Sequence, residues 1–135
     1  MSSRAKRGIF TAVIENRDKL SSAAPGVIRL FTAEERAYLA TRPDPTGNAA
    51  ARIAAKEAVY KAMQSLPGAR AIGWRDIEVT RDAEGRPAIR LHGLAARLAD
   101  EVGGVRIQVS LTHASAAAGA VAVVSTARQE RSSRV

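Results

Sequence analysis

The sequence predicts an α+β domain built on a largely antiparallel sheet, with one long helix and several short ones. Three observations predict it. Apolar, β-branched runs of strand length at 8–14, 105–111 and 116–124 lie among helical segments without regular βαβ alternation. Two short alternating runs, 76–80 and 88–91, flank a charged turn. And 135 residues, 46% hydrophobic and 25% charged, make one domain that can bury roughly two-thirds of its unfolded surface.

Taken in order, Gly8-Ile-Phe-Thr-Ala-Val-Ile is the first strand. Thr32 with Glu35 three positions on forms a capping box, which predicts a helix over 33–40. Arg42 to Asn48 is a breaker cluster, and Asn48 is the expected cap of the alanine-rich long helix that runs to Leu66, before Pro67-Gly68. Residues 81–87, Arg-Asp-Ala-Glu-Gly-Arg-Pro, close a hairpin. Residues 94–102 have helical spacing and stop at Gly103-Gly104. The strand from Val105 ends at His113, and 116–124 is a run of small apolar residues suited to a buried partner strand. The expected organisation is a disordered basic N-terminus at 1–7, a domain at 8–125 and a flexible basic tail at 126–135.

The net charge is +8. Arg4, Lys6 and Arg7 carry three of those charges, and the tail a net two, which leaves +3 for residues 8–125. Five aromatic residues (Phe10, Phe31, Tyr38, Tyr60 and Trp74) are too few and too scattered for a base-stacking platform. No nucleic-acid partner is therefore expected, although a small basic nucleic-acid binder remains the third reading; phosphate on a smaller partner suits the charge equally well. With no cysteine and two histidines, disulfides and thiolate or histidine-rich metal sites are excluded, leaving a hard cation on oxygen ligands. No apolar run approaches the roughly 20 residues of a membrane span. The expectation is a cytoplasmic protein without a membrane partner.

On the long helix, Ala50, Ile53, Ala54, Glu57, Ala58 and Lys61 share one face, so a carboxylate and an ammonium lie one turn apart on a stripe of small residues. An i,i+4 ion pair is the simpler reading; the small neighbours also allow a ligand or chain to approach closely. Arg52 and Lys56 add cations on adjoining faces. Ser110, Thr112 and His113 offer hydroxyl and imidazole donors to a phosphate, with Ser110 and Thr112 on one strand face. Arg86 of the turn can present a guanidinium. His92, between Leu91 and Gly93 without polar companions in sequence, reads as structural.

Four ordered motifs then meet a known pattern: Arg52-Ile-Ala-Ala-Lys56-Glu57-Ala-Val-Tyr-Lys61, Trp74-Arg-Asp76-Ile-Glu-Val, Gly85-Arg-Pro87 and Val109-Ser-Leu-Thr-His113. Over about residues 27–124 the chain resembles holo-[acyl-carrier-protein] synthase, a 4'-phosphopantetheinyl transferase family. The resemblance implies that family's fold, a homotrimer with active sites between chains, and transfer of the phosphopantetheine arm of coenzyme A to a serine of an acyl carrier protein. It implies Glu57 as a magnesium ligand and Lys61 beside the pyrophosphate, both catalytic. Arg52, Thr112 and His113 match positions that hold coenzyme A phosphates, and Gly85 to Pro87 match the turn near the nucleotide, so Lys56, Arg86, Pro87 and Ser110 join the cofactor-binding set. Arg17 and Lys19 are candidates for carrier-protein docking.

The first strand departs from the family pattern. Ala12 stands where the second metal-binding aspartate is expected, and Phe10 replaces a glycine. Loss of one carboxylate removes a ligand and a charge together, which weakens the case for magnesium. An alternative therefore accompanies the transferase: the same fold without that activity, binding or acting on a carrier-tethered or other apolar intermediate, with Phe10 in its cleft.

Overall fold

The computed structural model describes residues 8–15, 25–114 and 117–126, the first of these as backbone. The expected disordered N-terminus, tail residues 127–135, and Arg17 and Lys19 lie outside the described residues. In order, the elements are β1 (Gly8–Glu15), α1 (Pro25–Ile28), α2 (Ala33–Ala40), α3 (Pro45–Ala62), β2 (Ile77–Arg81), β3 (Pro87–Leu91), α4 (Gly93–Glu101), β4 (Val105–His113) and β5 (Ala117–Thr126). Single 3-10 turns follow α3 and punctuate the stretch before β2.

Two antiparallel sheets form. β5 lies between β1 and β4, and β2 pairs with β3 as the expected hairpin. Helix α3 packs across one face of the three-stranded sheet, alanine on alanine. Ala54, Ala55 and Ala58 are fully buried with Val59 and Met63 against Ala120 and Ala122 of β5, and Ala50 and Ala51 meet Ala118. Alanine loses no rotamer freedom on burial, so this small-residue layer is assembled at little entropic cost. Phe31, Leu39, Ala49 and Ile53 fasten α2 to α3, while Ala95 and Leu98 of α4 close the far side of the main core.

The capping box of α2 forms as expected, with Glu35 N donating to Thr32 Oγ1 (3.2 Å) and Thr32 N to Glu35 Oε1 (3.0 Å). Helix α3 departs from expectation at both ends. Its cap is Asp44, whose Oδ1 accepts from Gly47 N (3.1 Å), because Pro45 is preset for the first helical position. Asn48 lies inside the first turn and donates its amide to Asp44 O (2.8 Å). The α-helix ends at Ala62, and a 3-10 turn over 63–65 carries the chain on to Leu66. β5 extends to Thr126.

The buried polar centre of the fold is Lys56, which is 0% exposed. Its Nζ donates to Glu35 Oε1 (2.8 Å), Trp74 O (2.9 Å) and Ile77 O. Glu35 Oε2 accepts from Val79 N (2.9 Å), and Thr32 Oγ1 donates to Glu78 Oε2. One carboxylate and one ammonium thus tie together α2, α3, the 74–77 segment and β2. Burial pushes Lys56 below the ordinary lysine range, opposed by the charge and hydrogen bond of Glu35. His92, expected to stand without polar companions, places Nε2 3.1 Å from Glu78 Oε1. The strand pairing that opposes Glu78 to Arg90 brings the next residue but one, His92, within reach.

Two predictions follow from this network. Removing one partner of a buried pair leaves the other's charge uncompensated, so Lys56→Met is expected to destabilise the fold by about 3–5 kcal/mol, read as a lower urea midpoint at pH 7. Burial of Glu78 opposes its charge, yet hydrogen bonds from Thr32 and His92 and the charges of His92 and Arg90 outweigh that and hold its carboxyl below the ordinary range. A depressed folded pKa contributes stability above the unfolded value of about 4.3, lost as the pH falls below it. Urea unfolding at stepped acid pH should show a shallower loss of stability in Glu78→Gln than in the unchanged protein.

Candidate functional site

Helix α3 carries chemistry-bearing side chains into two separate cavities. The first, of about 400 Å³, is lined by Lys56, Glu57, Tyr60 and Lys61 of α3 together with Ile72, Gly73, Trp74 and Ile77. Glu57 and Lys61 sit one turn apart on its helical wall, as their spacing predicts. The opposite wall is pinned twice. Lys56 holds the carbonyls of Trp74 and Ile77. Asp76 accepts from Gly73 N through Oδ2 (3.2 Å) and from His92 N through its carbonyl (2.8 Å). Gly93, at φ +52°, is needed there, because a Cβ would lie 2.8 Å from Asp76 Oδ1. The indole of Trp74 is 39% exposed on the rim of this wall.

The second cavity, of about 210 Å³, is lined by Arg52, Asn48 and Ala51 of α3, Val79, Thr80 and Arg81 of β2, and Pro87, Leu111 and His113. His113 Nδ1 lies 3.8 Å from Asp44 Oδ2, so the residue that starts α3 also faces the residue that ends β4. Arg52 is 3% exposed; its guanidinium stacks 4.2 Å from the Tyr38 ring centroid, and its Nε makes no hydrogen bond among the described residues. Burial pushes Arg52 below the ordinary arginine range, countered by Tyr38 and Glu35 and reinforced by the neighbouring charge of Arg81.

The expected site residues therefore divide. Glu57 and Lys61 meet in the first cavity, and Arg52, Pro87 and His113 in the second. Lys56, expected to bind a phosphate, spends its three donors on protein acceptors and acts from inside the wall instead. Ser110 and Thr112 are exposed, on the strand face opposite Leu111 and His113, because successive side chains alternate across a strand. Arg86 is exposed in the hairpin turn, where its backbone N donates to Asp82 Oδ1 (2.8 Å), and Arg81 takes the place in the cavity wall that was expected of it. Sequence reasoning gave no site role to Arg81, Asn48, Tyr38 or Trp74, although Asn48 was the expected helix cap and Trp74 opens one of the four motifs. The breaker cluster places Asn48 at the start of α3, whereas no local signal brings Tyr38 of α2 or Arg81 of β2 to this cavity.

The described residues alone do not gather the ligands of a magnesium site. Glu57 is the carboxylate of the first cavity, position 12, backbone-paired with Ala120, is an alanine, and no group of three or more metal-ligating side chains gathers among the described residues. A hard cation bound by protein alone needs more oxygen ligands than that. Among the described residues, no helix is long and apolar enough to cross a membrane.

Comparison with known proteins matches residues 13–120 to ACPS, the 4'-phosphopantetheinyl transferase superfamily. The chain is similar to the holo-[acyl-carrier-protein] synthase of Moorella thermoacetica, 47% identical over 102 residues that span 76% of this chain and 78% of the relative. Its fold is similar to the Chronobacterium ammoniagenes ACPS–CoA complex, with a TM-score of 0.75, 28% identity and coverage of 91% of this chain and 99% of that one. It is also similar to the Mycobacterium tuberculosis acyl carrier protein synthase, with a TM-score of 0.65, 36% identity and coverage of 87% and 95%.

Trp74 is the chain's one tryptophan, so it reports on the first cavity alone. Coenzyme A, the ligand the sequence resemblance implies, is expected to shift or quench its emission. Lys61→Met should raise the half-saturating concentration about tenfold or more, as loss of one charge-assisted hydrogen bond does.

Proposed function

This chain belongs to the holo-[acyl-carrier-protein] synthase family of the 4'-phosphopantetheinyl transferase superfamily, and from that membership we propose that it transfers the 4'-phosphopantetheine arm of coenzyme A to a serine of an acyl carrier protein. The observation that carries the reading is the wall of the first cavity, where Glu57 and Lys61 stand one turn apart on a rigid helix facing Trp74.

The reaction needs a serine oxygen to attack the phosphorus that bears the pantetheine arm. A new O–P bond forms, the bridging P–O bond breaks, adenosine 3',5'-bisphosphate leaves, and the serine proton passes to a base. Lys61 answers the negative charge that grows on the departing phosphate. Glu57 is the carboxylate placed to receive the proton, directly or through one water. Magnesium, if carried in by the coenzyme A pyrophosphate, would supply further positive charge there, and Glu57 is the carboxylate of the cavity that would help to hold it.

The two cavities support a site completed between chains. Glu57 lies five residues beyond Arg52, about 7.5 Å along the helix axis and about 140° around it, so the two cavities open in different directions from α3. A homotrimer in which the phosphate-holding cavity of one chain faces the Glu57 cavity of the next would bring both to a single coenzyme A. The outer sheet face is suited to such contact: Gln108, Ser110, Thr112 and Val121 are exposed there beside Gly119 and Val123. The alternative drawn from Ala12 and Phe10, a fold retained without the activity, finds no support in the comparisons, whose relatives carry the synthase name.

Intact-mass spectrometry of an apo carrier protein incubated with coenzyme A, magnesium and this protein tests the reading. Addition of the phosphopantetheine mass is expected, lost with a chelator and slowed about 10²–10⁴-fold in Glu57→Gln. Transfer by Ala12→Asp alone would place the lesion at position 12, and transfer by neither protein would overturn the reading.

A further inference from the structure

One histidine grips both neighbours of Ile77. The backbone N of His92 donates to Asp76 O (2.8 Å), and its ring Nε2 lies 3.1 Å from Glu78 Oε1. Between those two residues, Ile77 lines the first cavity and offers its carbonyl to Lys56. His92 is also the N-cap of α4, a position at which serine, threonine, aspartate or asparagine would satisfy the helix end. Its side chain makes no such cap and is spent on Glu78 instead. Gly93, at φ +52°, lets the start of α4 close onto the Asp76 carboxylate, which brings His92 to this place. The contact joins surface to interior, because the His92 side chain is 43% exposed and that of Glu78 only 2%. Behind Glu78, Thr32 Oγ1 donates to Oε2, and Thr32 N donates to Glu35, the partner of Lys56. The other cation near Glu78, Arg90, is exposed and stands 3.9 Å from it.

We propose that His92 is a positioning residue for the first cavity: proton uptake by its imidazole tightens its hold on Glu78, and together with the bond to Asp76 this fixes Ile77, and with it the Trp74 wall, against α3. The inference goes beyond the transferase reading and needs no ligand. The charged groups that face the ring are Glu78 of β2 and Arg90 of β3, with Asp76 held by the backbone of the same residue; Glu35 of α2 and Lys56 of α3 follow behind Thr32. Glu78 remains a carboxylate across the range in which imidazoles titrate, since its carboxyl is held below the ordinary range. Raising the pH through that range therefore removes a cation from beside a fixed, buried anion. What remains is a neutral donor, whose hydrogen bond is roughly half as strong as a charge-assisted one. The residues on both sides of Ile77 share that histidine, so the loosening reaches the cavity wall before it reaches the rest of the fold.

Backbone hydrogen exchange over residues 73–79, read by mass spectrometry beside acrylamide quenching of Trp74, the chain's one tryptophan, tests the proposal on the full chain without ligand. After correction for the intrinsic pH dependence of exchange, the unchanged protein is expected to exchange this segment up to about tenfold faster at about pH 8 than at about pH 5.5, with quenching rising in parallel. His92→Gln keeps a neutral donor, so it should show no pH step and stay near the pH 8 behaviour of the unchanged protein. His92→Leu should exchange faster than that at every pH, and His113→Gln, which alters the chain's other histidine, should keep the step. The β4–β5 ladder is the internal reference and is expected to stay protected throughout. Absence of the step in the unchanged protein, its survival in His92→Gln, or equal acceleration of the β4–β5 ladder would overturn the proposal, the last by reducing His92 to a contributor to overall stability. Where His92→Leu does not fold, His92→Gln decides alone. No readout involves coenzyme A or a carrier protein, so failure here leaves the transferase reading intact, and failure of transfer leaves this one intact.

Discussion

The ammonium of Lys56 is buried where water does not reach, and the rest of the molecule is arranged around that fact. An ion taken out of water costs several kcal/mol unless its partners replace its hydration shell. Here the partners come from three different parts of the chain: Glu35 of α2 and the carbonyls of Trp74 and Ile77, with Lys56 itself on α3. Satisfying the lysine therefore fixes α2, α3 and the entry to β2 relative to one another. Glu35 cannot be exchanged cheaply either, since the same carboxylate caps Thr32 N and accepts from Val79 N. The pair contributes specificity of arrangement as much as stability: an apolar substitute for both would leave four backbone groups, Trp74 O, Ile77 O, Thr32 N and Val79 N, without these partners.

That arrangement is what gives the first cavity its shape. The lysine is the residue immediately before Glu57, so the side chain that faces inward anchors the wall across from the side chain that faces the ligand. A shift of the 74–77 segment would strain two hydrogen bonds to Lys56 and the Asp76 contacts to Gly73 and His92 together. Such a doubly anchored wall keeps Trp74 at the rim while leaving the cavity open. Alanine packing of α3 on β5 does the complementary work from behind, since small residues on both surfaces let the helix lie close to the sheet and leave it little room to move.

Much of this was legible in the sequence, and the failures have physical causes. The capping box, the hairpin, the α4 segment and the edges of β4 follow from local signals that tertiary packing does not override. The start of α3 was misplaced because Asn48 is a strong capping residue in isolation; Pro45 was the better signal, since it fits the first helical turn and leaves Asp44 to cap. Lys56 was misread because a cation on a helix is usually solvated. Its neighbours argued otherwise: with alanines at 49–51, 54, 55 and 58, the helix is apolar almost all round, and such helices are buried on every side. Ser110 and Thr112 were joined to His113 by adjacency, although the strand period that identified β4 puts the first two on one face and the histidine on the other. Arg81 could not be found by motif, because the ring its guanidinium faces, that of Tyr38, lies far earlier in the chain.

The division of charge along α3 carries the argument one step further. The second cavity gathers arginines near the N-terminal half of the helix, where the unpaired N–H groups and the macrodipole add positive potential. The first cavity, toward the C-terminal half, holds Glu57 and Lys61, where the same dipole turns negative and favours the lysine. The second cavity sets Arg52, Arg81 and His113 among neutral side chains, whereas the first pairs a carboxylate with an ammonium, so the two differ in charge along one helix. The proposed transfer needs a proton acceptor and a cation to answer the charge that grows with bond breaking, and the first cavity holds both. On the proposed transfer, holding the ligand and answering the reaction's charge would fall to different residues of one helix, Arg52 for the first and Glu57 with Lys61 for the second.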